Sequence, residues 1–263
     1  MTLLLLSDLH CRADWFRWAA GQTSDLTAIA GDLLDGLHPG GLLPQMVTVK
    51  SWADRFPSPL ALSSGNHDGN LEGAAFAADI WQMPDQSAVQ SLLATEFWMD
   101  SLERPGVVTD GRSQIIETPG GKVVVTTIPF EPGERGPRFS TALWKEGVRM
   151  RVTSGAPWLV LHHEPPADTM VGGRMGDPSV LHKIREYQPD FILSGHLHGQ
   201  PYAGNFADKI GKTWCFNPGV PVISRAIRTK FPNHIWIDTK NGTATWKATP
   251  NVGQLPITKT IAL

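Results

Sequence analysis

The sequence has little cysteine, no marked excess of charge of one sign and no long hydrophobic run. Its 263 residues include two cysteines, Cys11 and Cys215, too few for a disulfide framework, which favours a reducing compartment. The formal net charge of −2 offers no basic field to nucleic acid or acidic membranes. The apolar start at residues 3–6 is short, has no basic residue before it and leads directly into Asp8 and His10. It is therefore predicted to be a buried strand rather than a signal peptide or membrane span, and we expect a cytoplasmic protein.

Five short apolar runs recur along the chain, at residues 3–6, 26–30, 60–62, 158–161 and 191–193. Continuous apolar runs of this length are typical of strands buried on both faces. Helical patterns fall between them: residues 14–20 with Asp14 as a cap, residues 44–55, and a helix from Pro178 to about Tyr187 with Asp177 as its N-cap. This order predicts a layered α/β fold whose ligands gather beyond the carboxyl ends of the strands.

Two stretches depart from this pattern. Residues 213–216 are predicted to form a strand, and residues 234–239 and 243–248 flank Asn241-Gly242, a hairpin signal because both turn positions accept positive φ. The sheet system is therefore expected to become antiparallel near the end. Residues 70–118 are the least regular, with helices predicted at 71–78 and 88–102, and we expect them to form a cap or insert over the strand ends.

Polar residues that can bind metal ions follow each of the five apolar runs. They are Ser7-Asp8-Leu9-His10, Gly31-Asp32, Gly65-Asn66-His67-Asp68, His162-His163-Glu164-Pro165 and Gly195-His196-Leu197-His198. Five such clusters at five strand ends are predicted to converge on one crevice. The donors are carboxylates, imidazoles and an amide oxygen without a thiolate cluster, which suits manganese, iron or zinc in expanded coordination. Seven or so ligands are too many for one catalytic ion, but they suit two ions that share a carboxylate.

This series of motifs resembles the calcineurin-like metallophosphoesterase superfamily, in which the same blocks occur in the same order. The resemblance covers residue 7 to about residue 199, and Asn217-Pro218-Gly219 resembles a further family loop. One block alone is weakly specific, whereas the five together are highly specific. The resemblance implies a four-layer α-β-β-α sandwich of two packed mixed sheets flanked by helices. The chain length and the hydrophobic content of 41% favour a single domain over residues 1–263. It also implies a hydrolase of phosphate esters, a phosphodiesterase or phosphomonoesterase, with two divalent ions, Mn²⁺ first and Fe or Zn²⁺ as alternatives.

The resemblance further implies a role for each matching residue. The first metal would be held by Asp8, His10, Asp32 and His198. The second would be held by Asp32, Asn66, His163 and His196, so that Asp32 bridges the two ions. His67 would face the leaving group, with Asp68 fixing its tautomer. Of the neighbours His162 and His163, the spacing to Pro165 favours His163, and an offset of one residue would exchange them.

The expected chemistry is in-line attack on phosphorus by a hydroxide that the two ions share and whose pKa they lower. The departing alkoxide needs a proton, which a histidine such as His67 can supply. One alternative is a non-catalytic scaffold or interaction subunit on the same fold, but such proteins usually show eroded ligands and here every position is intact. Another is a nuclease, which needs an extended basic groove that no lysine or arginine cluster suggests. We therefore expect a small-molecule phosphate ester as partner, and neither a membrane nor nucleic acid is indicated.

Overall fold

Two β-sheets and five α-helices make up the described part of the chain in the structure, a computed structural model. It describes residues 1–38, 40–57, 59–68, 86–93, 95, 97–130, 135–221, 229, 231–249 and 256–263. The strands are β1 (Thr2–Leu6), β2 (Leu26–Ala30), β3 (Leu60–Ser63), β4 (Val107–Val108), β5 (Arg112–Thr118), β6 (Gly121–Thr127), β7 (Trp158–Leu161), β8 (Phe191–Leu193), β9 (Ala207–Ile210), β10 (Thr213–Phe216), β11 (His234–Asp238), β12 (Thr243–Ala248) and β13 (Ile257–Ala262). The helices are α1 (Ala13–Ala20), α2 (Leu43–Asp54), α3 (Gln86–Leu93), α4 (Arg135–Ser154) and α5 (Pro178–Tyr187). Short 3₁₀ helices span Trp98–Leu102 and Gln200–Ala203.

Both sheets are mixed, with antiparallel strands at one edge of the seven-stranded sheet and at both edges of the six-stranded sheet. The seven-stranded sheet has the order β13-β12-β11-β1-β2-β3-β4, and the six-stranded sheet has the order β5-β6-β7-β8-β10-β9. β1, β2, β3 and β4 are parallel, whereas β11, β12 and β13 run antiparallel to their neighbours. The expected change to antiparallel pairing near the end of the chain is confirmed.

Alternating side chains of the central strands fill three separate cores. Leu3 and Leu5 of β1 pack between the two sheets, whereas Leu4 and Leu6 pack against residues of α1 and α2. Val160 of β7 faces outward in the second sheet and packs with residues of α4 and α5. Because successive strand residues point to opposite faces, a run that is apolar throughout is buried on both sides, and each such leucine contributes about 1.5–3 kcal/mol. The four-layer α-β-β-α sandwich is thereby confirmed.

Helix starts agree with the sequence patterns at one helix and not at another. Asp177 is the N-cap of α5, and its carboxylate accepts a hydrogen bond of 2.6 Å from the backbone N–H of Ser179, as predicted. The prediction that Asp14 caps α1 is wrong, because Arg12 is the N-cap residue. Asp14 instead lies in the first turn of α1 and forms an ion pair with Arg17, where its charge is favourable to the helix dipole.

The β11–β12 hairpin is confirmed, but its turn differs from the expected two-residue form. Asp238 pairs with Thr243, so that four residues form the loop, and only Gly242 of the Asn-Gly dipeptide has a positive φ, of 62°. The carboxylate of Asp238 closes the loop by accepting hydrogen bonds from the backbone N–H groups of Lys240 and Asn241. The side chain of Asp238 therefore stabilises this loop, which needs only one residue with positive φ where the two-residue turn needs two.

Residues 70–118 contain both helical and sheet elements. The helix predicted at 71–78 lies outside the described residues, and the one predicted at 88–102 is divided into α3 and the 3₁₀ helix at Trp98–Leu102. β4 and β5, which the sequence patterns missed, join one sheet each. A cap formed by 70–118 stays a prediction. None of the helices in the described part of the chain is long and apolar enough to cross a membrane.

Candidate metal centre

The carboxyl ends of the parallel strands β1, β2, β3, β7 and β8 meet at one edge of the sandwich, where the chain adopts an unusual backbone. Asp8, His10, Asp32 and His196 all have positive φ, between 44° and 63°. A left-handed conformation costs a non-glycine residue on the order of 1–3 kcal/mol, and such residues concentrate at functional sites. Two backbone hydrogen bonds of 2.9 Å, from Asp8 to Gly31 and from His10 to Asp32, tie the loop after β1 to the loop after β2.

One group of donor atoms lies at the end of β1. Nε2 of His198 is 3.1 Å from Oδ1 of Asp8, and Nε2 of His10 is 4.0 Å from Oδ2 of Asp32. Nδ1 of His10 lies 3.3 Å from the carbonyl oxygen of Leu34, which leaves Nε2 directed into the crevice. Donor atoms of Asp8, His10 and His198 all lie within 4.8 Å of one another, which is close enough for a common ion after small side-chain rotations.

A second group of donor atoms lies between β3, β7 and β8. Oδ1 of Asn66 is 3.1 Å from Nε2 of His163 and 3.0 Å from Nδ1 of His196, and Nε2 of His163 is 3.4 Å from Oδ2 of Asp32. Ligands that bind one ion at about 2.1 Å and at right angles are about 3 Å apart. The spacing of this group therefore fits a bound transition metal as the structure stands.

A single oxygen atom joins the two groups. Oδ2 of Asp32 lies 3.4 Å from Nε2 of His163 in the second group and 4.0 Å from Nε2 of His10 in the first. Oδ1 of the same carboxylate accepts a hydrogen bond of 2.8 Å from the backbone N–H of His67, which fixes its orientation. Gly65 permits this approach, because a Cβ at that position would clash with the Asp32 side chain. The arrangement is what a bridging carboxylate requires.

His162 and His163 point to opposite sides of the end of β7. His163 is fully buried, and its Nδ1–H donates a hydrogen bond of 2.8 Å to the carbonyl of Ala30, so Nε2 keeps its lone pair for a ligand. Gly31, with φ of 82°, allows the ring to pass because a Cβ there would clash with it. Nδ1 of His162 instead faces the carbonyl of Ile128 at 3.3 Å. The structure thus brings His163 to the centre and His162 away from it, although ligation itself stays a prediction.

The family model of the calcineurin-like phosphoesterases matches residues 1–200. This chain belongs to that family. Members generally bind a dinuclear metal centre, and the two donor groups with their shared Asp32 oxygen are of the kind that such a centre requires.

Known structures with a similar fold come from distant relatives. The chain is similar to TT1561 of Thermus thermophilus, with a TM-score of 0.52 and 15% identity over 93% of this chain and 92% of that one. It is also similar to the Haemophilus influenzae NAD nucleotidase, with a TM-score of 0.50 and 11% identity over 91% of this chain and 48% of that one. At these identities the likeness concerns the fold alone. Comparison with curated protein sequences finds no significant match.

In this member of the calcineurin-like phosphoesterase family, His67 lies beside the first donor group. Its ring centroid is 4.8 Å from that of His10, and one of its nitrogens lies within 4.8 Å of donor atoms of His10 and Asp32. Nδ1 of His67 accepts a hydrogen bond of 3.1 Å from the backbone N–H of Gly36. The neutral ring therefore carries its proton on Nε2.

Asp68 differs from its expected role of fixing the His67 tautomer. Its buried carboxylate accepts hydrogen bonds of 2.8–3.1 Å from the backbone N–H groups of Leu33, Leu34 and Gly65. The tautomer is set by the amide of Gly36 instead. Asp68 therefore joins the loops after β2 and β3, and a backbone amide at this place could not have been recognised from residue types.

The electrostatics of the centre favour added positive charge. Burial raises the pKa of Asp68 to about 8, and the charge of Asp32 adds to this rise despite the three amides. Burial disfavours a charged His163, but its hydrogen bond to Asp32 and the charges of Asp8 and Asp32 raise its pKa to about 9. Burial also opposes the charge on Asp8, yet the contacts with His198 and His163 hold its pKa below the usual range. Closely spaced buried carboxylates of this kind need cations nearby.

Two further groups support the centre, and only one of them has a recognisable sequence signal. Asn217 donates a hydrogen bond of 3.2 Å to the carbonyl of Leu197, and a Cβ on Gly219 would clash with the carbonyl of His198, so the Asn-Pro-Gly loop braces the segment carrying His196 and His198. That loop had been singled out by its resemblance. The ring of Phe130, 5.9 Å from that of His163, was missed because a lone aromatic after a strand carries no distinctive pattern.

An open cleft of about 550 Å³ adjoins the centre. Its lining residues are Met175, His196, Leu197, His198, Gly199, Gln200 and Ala203. Two predicted metal ligands form one wall, and small or apolar side chains form most of the rest. A molecule in this cleft would therefore contact the centre at one end and mainly uncharged surface at the other.

Proposed function

We propose that this protein is a dinuclear metal-dependent hydrolase of phosphate esters. The observation that carries the proposal is the position of the Asp32 carboxylate, whose Oδ2 lies between Nε2 of His163 and Nε2 of His10. The proposed first ion is held by Asp8, His10, Asp32 and His198. The proposed second ion is held by Asp32, Asn66, His163 and His196. When bound, such ions supply a water nucleophile of lowered pKa and positive charge opposite the phosphate oxygens.

The chain's own residues account for positioning and proton transfer. The backbone amide of Gly36 holds His67 with its proton on Nε2, on the side of the first donor group. This Nε2–H is the proposed proton donor to the leaving oxygen. A neutral imidazole does not give up its N–H proton in water, so the step requires the imidazolium, which forms when Nδ1 takes up a proton and releases its hydrogen bond from Gly36. The Ala30 carbonyl and the Leu34 carbonyl fix the rings of His163 and His10, so little reorganisation is needed.

The donor set and the cleft narrow the choice of metal and substrate. Mixed carboxylate, amide and imidazole donors suit Mn²⁺ first, with Fe and Zn²⁺ as alternatives. Among the described residues, those that line the cleft include no lysine or arginine. A nuclease requires many such contacts with the phosphate backbone, so a small phosphate ester fits this surface better. The intact donor groups favour an enzyme over a non-catalytic scaffold on the same fold, and a cytoplasmic location stays a prediction.

The test is hydrolysis of model esters by the metal-loaded protein. p-Nitrophenyl phosphate and bis-p-nitrophenyl phosphate should be assayed with Mn²⁺, Fe²⁺ or Zn²⁺, and again after removal of metal with a chelator. We expect turnover of at least one ester, loss of turnover with the chelator and recovery on adding Mn²⁺. A protein that holds two ions yet turns over neither ester, nor any of a wider panel of alkyl mono- and diesters, would favour the scaffold instead.

A further inference from the structure

A second cluster of metal-binding side chains lies on the far side of His162, away from the centre described above. Donor atoms of His162, Glu164 and Asp177 all lie within 4.8 Å of one another. Nε2 of His162 is 3.7 Å from Oδ2 of Asp177. The three residues come from the end of β7, the loop after it and the N-cap of α5, so the fold rather than the sequence brings them together.

His162 presents an unpaired lone pair to this cluster. Its Nδ1–H faces the carbonyl of Ile128 at 3.3 Å, which leaves Nε2 as the bare nitrogen. The residue is 7% exposed, and Nε2 has no hydrogen-bond partner in the described part of the chain. Leaving a buried acceptor without a partner is unfavourable, and here it faces two carboxylates that are acceptors as well. His163 shows the same pattern toward the Ala30 carbonyl, with Nε2 directed at the metal centre.

Asp177 is held in place by contacts that leave one oxygen for a ligand. Its Oδ1 accepts a hydrogen bond of 2.6 Å from the backbone N–H of Ser179. Its backbone N–H donates to the carbonyl of Pro165 at 2.8 Å, and its carbonyl accepts from the N–H of Ala167 at 3.1 Å. Oδ2 is therefore oriented toward His162 by the fold itself. Such preorganisation lowers the cost of binding an ion.

We propose that His162, Glu164 and Asp177 form a third site for a divalent transition-metal ion, separate from the dinuclear centre. One imidazole nitrogen and two carboxylates supply three protein ligands, and water completes the shell, which suits Zn²⁺ or Mn²⁺. The side chains of Glu164 and Asp177 are 30% and 22% exposed, so an ion can enter from solvent while His162 closes the inner side. Small rotations of the carboxylates bring all three donors to coordinating distance.

The third site also contacts the dinuclear centre through Glu164. Oε1 of Glu164 lies 4.0 Å from Nε2 of His196, whose other nitrogen faces Asn66. An ion held by Glu164 and Asp177 joins the end of β7 to the start of α5 and fixes Glu164 beside the His196 ring. The site acts as a support that positions a ligand, in the way that outer-shell carboxylates orient metal-bound histidines.

The test is the number of ions that the protein binds from Zn²⁺ alone, measured by equilibrium dialysis and elemental analysis of wild type and Asp177→Asn. Asparagine caps a helix as well as aspartate does, so the variant keeps the N-cap of α5 and loses only the charge. We expect one ion fewer per chain, or a third-site affinity at least about tenfold weaker. Asp168→Asn is the matched control, because Asp168 is an exposed carboxylate in the same loop.

His162→Gln provides a second variant and should remove the same ion. The proposal is overturned if wild type and Asp177→Asn bind equal numbers of ions with equal affinity, which would mean that a proton shared by His162 and Asp177 satisfies the cluster. Failure of the proposed function has a different signature. In that case ester turnover, or the ions sensitive to Asp32→Ala, are absent, whereas the ion sensitive to Asp177→Asn is unaffected.

Discussion

Two buried histidines, His163 in the metal centre and His234 at the start of β11, experience opposite electrostatic environments. His163 lies 3.4 Å from the Asp32 carboxylate, and its pKa is raised to about 9 although burial opposes the charge. His234 packs against aromatic rings, with that of Trp18 4.6 Å away, and burial lowers its pKa to about 4 despite a hydrogen bond to the carbonyl of Pro232. Depth alone does not decide the charge of a buried imidazole, because the neighbouring groups do.

The backbone conformation also differs between the metal centre and the sheet edge that begins with β11. Residues at the metal centre adopt left-handed conformations and carry buried carboxylates, whereas β11, β12 and β13 form a regular antiparallel meander with their apolar residues facing the core. Backbone strain and clustered negative charge at the centre are tolerated because they place the metal-binding side chains together. The regular meander contributes to the stability of the fold. Changes at the centre should therefore affect metal binding and turnover, and changes in the meander should affect stability.

The largest effect is expected for Asp32→Ala. It removes the oxygen shared by both donor groups, so the variant should lose about two equivalents of metal, as measured by elemental analysis after dialysis. Turnover should fall by more than about a thousandfold, beyond the loss typical of a single stabilising group. Asp14→Ala, which removes an exposed carboxylate from α1, should change neither quantity. Full metal content in Asp32→Ala would show that the carboxylate does not bridge.

His67→Asn should reduce turnover while leaving the metal content intact. General acid catalysis contributes about a hundredfold to ten-thousandfold, and the loss should be larger for an alkyl ester than for a nitrophenyl ester, whose leaving group needs little protonation. Comparing kcat for both esters in wild type, His67→Asn and the exposed-site control His182→Asn checks this. Equal losses for both esters would assign His67 to phosphate positioning, and loss of metal would place it among the ligands.

The smallest effect is expected for the contribution of His234 to the pH dependence of the free energy of unfolding. Its pKa is lower in the folded chain than the ordinary value of 6.5, so below that value the unfolded chain binds more protons. The free energy of unfolding should therefore fall as the pH drops from about 6.5 to about 4, by up to about 3 kcal/mol from this group. Urea unfolding of wild type and His234→Gln at pH 4, 5.5 and 7 separates this contribution from that of the carboxylates. Parallel curves for the two proteins would show that His234 titrates normally.

Local pattern was sufficient for the strands that carry the metal centre. Apolar runs that end in Asp, Asn or His predicted β1, β2, β3, β7 and β8 to within one residue, because a strand buried on both faces must be apolar throughout. β5 was missed because its residues, mostly polar and partly exposed at a sheet edge, lack that signature. The start of α1 was missed because Asp14 has the composition of a cap but lies inside the first turn of the helix.

The sequence by itself determined the family, the layered fold and the set of residues at the strand ends, since each depends on residue types at short spacing. Tertiary structure decided which atoms meet. It placed the Gly36 amide on Nδ1 of His67, turned Asp68 toward three backbone amides, and brought Asp177 to His162. Apart from the bond from Gly65 to Asp68, these contacts join residues 15 to 35 positions apart, and their partners are often backbone groups that every residue carries. Only the packing of one loop against another selects among such groups.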